Sequence, residues 1–77
     1  MSRLPTLSGK EAIRAFAKAG FNQVRQAGSH IVLQKHISGS TITVVVPNHT
    51  ELAKGTLRSI IRKAGLNVDE FIALVNA

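Results

Sequence analysis

Apolar positions along the first part of the chain recur at helical spacing. Ile13, Phe16, Ala17 and Gly20 fall at i, i+3, i+4 and i+7, which is one face of a helix. Ahead of them, Ser8-Gly9-Lys10-Glu11 has the form of a capping box, in which the Ser8 hydroxyl and the Glu11 carboxylate satisfy each other's backbone N–H groups. Lys10, Arg14 and Lys18 recur every fourth residue on a different face, and Gly20 closes the helix. The period then changes from 3.6 to 2. A first strand is predicted from Phe21 to Gln26, followed by a turn at Ala27-Gly28. From Ser29 to Lys35, Ile31 and Leu33 point one way while His30, Val32 and Gln34 point the other. After a second turn at Ser38-Gly39-Ser40, every residue from Thr41 to Val46 is β-branched, and Pro47, without an N–H, is expected to stop the ladder.

Helical spacing returns after the Pro47-Asn48-His49 loop. Leu57, Ile60, Ile61 and Ala64 form the apolar stripe of a helix expected over roughly 53–64, closed by Gly65, with Lys54, Arg58 and Arg62 as a second basic stripe. Asn67 caps a short last helix that carries Asp69 and Glu70 in its first turn and buries Phe71, Leu74 and Val75. The pattern predicts an α+β fold, α-β-β-β-α with a short C-terminal helix. A three-stranded antiparallel sheet can cover both apolar stripes only if the helices share one of its faces. This arrangement resembles the double-stranded RNA-binding domain. It leaves the other sheet face open, with His30 looking outward and Val45 as an apolar spot upon it.

At 77 residues the chain is expected to form one domain, 1–77, with too small a core to enclose a metabolite. The absence of cysteine excludes disulfides and thiolate zinc sites. The start, Met1-Ser2-Arg3-Leu4-Pro5, has no apolar run of signal-peptide length, and no segment is long enough to span a bilayer, so a soluble cytoplasmic protein without membrane contact is expected. Ten Lys and Arg against four Asp and Glu give a net charge of +6, a field that attracts polyanions. Charge alone does not separate RNA, DNA and an acidic protein. With no Trp or Tyr, and with Phe16, Phe21 and Phe71 at core positions, base stacking on exposed aromatics is not expected, which leaves phosphate contacts and shape.

Four pieces then stand in order along the chain: Gly28-Ser29-His30; Val46-Pro47-Asn48-His49; Gly55-Thr56-Leu57-Arg58-Ser59-Ile60-Ile61; and Ala64-Gly65-Leu66, preceded by Gly20-Phe21. Together they resemble the signature of the HicA (YcfA-like) toxin family, over about 8–71. The resemblance implies a ribonuclease that cleaves messenger RNA, a HicB-type antitoxin that binds and silences it, and His30 at the position the family uses for catalysis. Some members of the family carry a second histidine directly after this one. Here that place is Ile31, so adjacent paired histidines are not available.

The chemistry of the residues agrees with this expectation. RNA brings its own nucleophile, the 2′-hydroxyl, so the protein must supply a proton acceptor, cationic support for the phosphate and a source of a proton for the leaving oxygen. Histidine, with an ordinary pKa of about 6.5, suits the first task. Gly28 lacks a Cβ and lets another backbone approach beside His30. Ser29 is not a nucleophile paired with His30, because neighbours in a strand point to opposite faces. His49 is either a second catalytic group or a loop residue packing the start of the second helix, and His36 is read as surface. The general acid stays open between His49, a lysine and water. The histidine spacings fit no metal shell, so no metal or other cofactor is expected, and cleavage is expected to pass through a 2′,3′-cyclic phosphate. The RNA-contacting set is expected to be Gly28, Ser29, Lys35, Lys54, Thr56, Arg58 and Arg62, with Arg25 as a further strand cation and Gly55 opening the helix N-terminus to phosphate. The competing readings are a non-catalytic RNA-binding module of the same fold, which would not need His30, and an interaction protein whose basic surface serves an acidic partner.

Overall fold

The structure, a computed structural model, describes residues 3–77; Met1 and Ser2, part of the start read above for a signal peptide, lie outside them. The elements are α1 (Gly9–Lys18), β1 (Asn22–Ala27), β2 (His30–Ile37), β3 (Ser40–Pro47), α2 (Lys54–Lys63) and α3 (Val68–Val75). This is the expected α-β-β-β-α order with a last short helix. The strands form one antiparallel sheet in the order β1-β2-β3, with β2 in the middle.

The helix ends follow from local chemistry. Ser8 Oγ accepts the Glu11 N–H at 3.1 Å and Glu11 Oε1 accepts the Ser8 N–H at 2.9 Å, completing the capping box. That backbone bond holds the Glu11 carboxyl below its ordinary pKa. At the other end of α1, Gly20 N–H donates to Ala17 O at 3.0 Å and Phe21 N–H to Phe16 O at 3.1 Å, the bond pair of a Schellman motif. This motif explains why β1 starts one residue later than the apolar pattern suggests. Phe21 serves the cap, and its ring meets Phe16 edge-on at 5.7 Å instead of entering the strand. Asn67 caps α3 with a second reciprocal box to Glu70.

The core lies between the helices and one sheet face. Ile31 and Leu33 of β2, opposite Val46 and Val44 of β3, meet Phe16, Leu57, Ile61 and Phe71 from the three helices. The buried face of α1 is rotated from the expected one. Ala12, Ala15 and Phe16 are buried, whereas Ala17 and Gly20 are exposed. The cause is α3, which packs on α1 and needs its small side chains there to come close. Lys18 ties the two helices together, donating to Leu74 O at 3.2 Å and Ala77 O at 2.7 Å.

The end of β3 corrects one expectation. Pro47 pairs with His30 as the last strand residue, and the ladder runs one step further, since Asn48 N–H donates to Ser29 O at 2.6 Å. In an antiparallel pair the hydrogen-bonded positions alternate. With Ser29 and Asn48 bonded, His30 and Pro47 fall at a position where β2 asks for no N–H, so proline costs this strand nothing.

Candidate functional site

The sheet register sorts the candidate residues by face. Residues directly opposite one another share a face, so His30 stands with Ala27 and Pro47, Val32 with Arg25 and Val45, Gln34 with Asn22 and Thr43, and His36 with Thr41. These form the face turned away from the helices. Two cross-strand pairs on it are hydrogen bonded, Gln34 Nε2 to Thr43 Oγ1 at 3.2 Å and His36 Nδ1 with Thr41 Oγ1 at 3.1 Å. Val45 is 43% exposed here, whereas Val32, in the central strand between Arg25 and Val45, is only 8% exposed.

His30 opens β2 immediately after a two-residue turn, Gly28-Ser29, that joins paired Ala27 and His30. Gly28 has φ +60°, the positive value a tight hairpin wants at its first turn position. The imidazole is exposed, with no hydrogen bond to another described residue, so its ring is open to an incoming ligand from solvent. Behind it, Ile31 is buried in the core and fixes the strand's orientation. A one-residue slip of β2 would turn His30 inward and Ile31 outward.

The first two sequence pieces meet at this end of the sheet. The Asn48–Ser29 hydrogen bond joins Gly28-Ser29-His30 to Val46-Pro47-Asn48-His49. His49 is exposed, and its carbonyl accepts the Gly9 N–H at 2.8 Å. The backbone at His49 therefore anchors the start of the first helix. A Cβ on Gly9 would lie 2.9 Å from Asn48 Cα and closer still to the Pro47 carbonyl oxygen. Only glycine lets α1 seat on this loop. Gly9→Ala is expected to lower stability by about 1–3 kcal/mol, the usual cost of overpacking, read as a lower urea midpoint at unchanged slope.

The other expected contacts are dispersed. Arg25 is the one strand cation on His30's face, one cross-strand row away. Lys35 lies on the helix side, opposite Ile42, with its stem against Gly20 and its Nζ 5.9 Å from the centre of the Phe21 ring. Thr56 lines a depression between α2 and β3 with Ser59, Lys63 and Val45, whereas Arg58 and Arg62 line another beside Asn67 and Val68 at the start of α3. Lys54 and Gly55 form the first turn of α2, whose cap residue Ala53 makes no side-chain hydrogen bond, and space around Gly55 is open. The α2 cations thus occupy the helical layer and are not brought beside His30.

Sequence reasoning missed the cleft between α1 and β1. Lys10, Ile13, Arg14, Gln23, Gln26, Ile31 and Asn48 line it. The i, i+4 spacing of Lys10 and Arg14 was the available signal; which strand they face depends on register. Among the described residues, no three His, Cys, Asp or Glu side chains gather where they could hold a metal ion, and no helix is long and apolar enough to cross a membrane.

A family model described as the HicA toxin of bacterial toxin–antitoxin matches residues 9–66. No curated protein matches the chain.

Proposed function

The chain belongs to the HicA toxin family, the toxin half of bacterial toxin–antitoxin pairs, and from that premise we propose that it is a cytoplasmic ribonuclease that cleaves messenger RNA at His30 without a metal ion. The observation that carries this reading is the placement of His30. It stands exposed on the open sheet face, at the end where the Gly28-Ser29-His30 and Val46-Pro47-Asn48-His49 segments are hydrogen bonded together.

In the proposed reaction the imidazole of His30 takes the proton of the RNA 2′-hydroxyl as its oxygen attacks the adjacent phosphorus. The bond from phosphorus to the 5′-oxygen breaks, leaving a 2′,3′-cyclic phosphate on one fragment and a 5′-hydroxyl on the other. The leaving oxygen is protonated by His49, a lysine or water. Gly28 and Ser29 offer backbone beside the reacting phosphate, and Arg25 supplies positive charge on the same face. Lys54, Thr56, Arg58 and Arg62 contribute through the field of the helical layer and contacts to more distant phosphates. A HicB-type antitoxin would silence the toxin by covering the open face, where exposed Val45 gives a protein partner apolar surface to bury.

Purified protein incubated with RNA in EDTA is expected to leave fragments ending in 2′,3′-cyclic phosphate, which resist both 3′-end ligation and a simple phosphomonoesterase until the ring is opened and the phosphate removed. Fragments ending in a free 3′-hydroxyl, or cutting that requires an added divalent ion, would contradict the mechanism.

A further inference from the structure

The cleft between α1 and β1 does not stop at Asn48. A second depression, lined by Ser8, Lys10, Asn48, His49 and Thr50, shares Lys10 and Asn48 with it. The two adjoin at Lys10 and Asn48 and together form a groove from Gln23 and Gln26 to His49. No carboxylate lines either part. Two acidic residues adjoin the lining in sequence: Glu11, whose carboxylate is turned back onto the Ser8 N–H, and the exposed Glu51, next to Thr50. The lining instead offers two cations, Lys10 and Arg14, and the side-chain amides of Gln23, Gln26 and Asn48, over an apolar floor of Ile13 and Ile31.

The groove also ends in the right place. The Asn48 N–H holds Ser29 O, and each of these residues is the chain neighbour of one member of the His30–Pro47 pair. The groove residues lie on the helix side of the sheet and His30 on the other, so a strand in the groove reaches His30 by turning round the sheet end at Ser29 and Asn48.

We propose that this groove binds the sugar–phosphate backbone of single-stranded RNA flanking the cleaved bond. Lys10 and Arg14 neutralise successive phosphates, and the amides of Gln23 and Asn48 donate to phosphate oxygens and pair with 2′-hydroxyls. The Gln26 amide, which already donates to Gly28 O at 2.9 Å, holds the turn before His30. The assignment rests on the ribonuclease reading and adds to it the path of the substrate, which the α2 cations do not supply. Amides and cations without exposed aromatic rings also make the path indifferent to base identity.

The test measures binding of a short fluorescein-labelled uridine oligoribonucleotide by anisotropy across a range of salt, in the His30→Ala protein so that no strand is cut. Lys10→Gln with Arg14→Gln is compared with Arg58→Gln with Arg62→Gln, which removes the same charge from the helical layer. Lys10 and Arg14 are exposed, so melting temperatures are expected to stay close to the parent's. The groove pair is expected to weaken binding about tenfold or more at moderate salt and to lower the salt slope by roughly 1.4, about 0.7 for each lost phosphate contact. The α2 pair is expected to weaken it clearly less. Equal weakening by the two pairs, or an unchanged slope in the groove pair, would overturn the groove while leaving the ribonuclease reading intact. A parent protein that binds no RNA at any salt would overturn both.

Discussion

His30→Ala is expected to leave a folded protein whose RNA cleavage falls about 100- to 10,000-fold, the range a positioned general base contributes. The structure separates the two halves of that expectation. The side chain is exposed and makes no hydrogen bond to another described residue, so its removal costs the fold no core contact. Surface changes of this kind stay within about 0.5 kcal/mol. Its backbone, by contrast, remains fixed between Ala27 and Pro47 at the centre of the sheet end. Circular dichroism and the melting temperature should therefore match the wild type while activity is lost. His30→Gln keeps a hydrogen-bonding group of similar reach without a titrating nitrogen, and it should be as inactive as alanine. Activity restored by glutamine would mean that His30 only positions the RNA.

The second large effect concerns stability. Phe16→Ala is expected to cost about 3–5 kcal/mol. A chain of 77 residues has a total stability of roughly 4–12 kcal/mol. The variant should be partly or wholly unfolded near 37 °C, and its thermal transition should fall or disappear. Phe16 carries this weight because it is fully buried and joins three elements. Its ring lies 4.9 Å from that of Phe71 in α3 and 5.7 Å from that of Phe21, in the cap that leads from α1 into β1. The family match ends at residue 66, before α3, yet Phe71 is wholly buried in the same core. A protein cut after Gly65 should therefore behave like the Phe16 variant, with exposed apolar surface that binds a dye such as ANS. A truncated chain that melts like the full one would refute this account of α3.

Those features that depend on neighbours in sequence were legible without coordinates. The Ser8–Glu11 box, the stop at Gly20, the apolar stripe of Leu57, Ile60 and Ile61, and the alternation that turns His30 outward are all short-range. The same alternation, carried five residues further, already implied that Lys35 points to the opposite face from His30, and proximity along the strand hid it. Other features depend on contacts between distant segments and leave no local mark. Gly9 reads in the sequence as an interior residue of a capping box, but its lack of a side chain is required by the Pro47–His49 loop. The rotation of α1 toward Ala12 and Ala15 needs knowledge of α3. Val24, the extra residue where the β1–β2 register shifts between Gln23 and Arg25, decides which β1 side chains share a face with His30, and no composition signal marks it. The candidate site divides along the same line. His30 was readable from spacing, and its turn to within one residue, Gly28-Ser29 instead of the expected Ala27-Gly28, because pairing carries β1 on through Ala27. The groove of Lys10, Arg14, Gln23, Gln26 and Asn48, by contrast, exists only because a helix and two strand ends converge.

The most direct test is cleavage of a long messenger RNA in EDTA by the wild-type protein beside a folded His30→Ala variant. The account predicts that the wild type cuts and the variant does not, while both bind the RNA. Binding by both with cutting by neither would contradict it and make the fold a non-catalytic RNA-binding module.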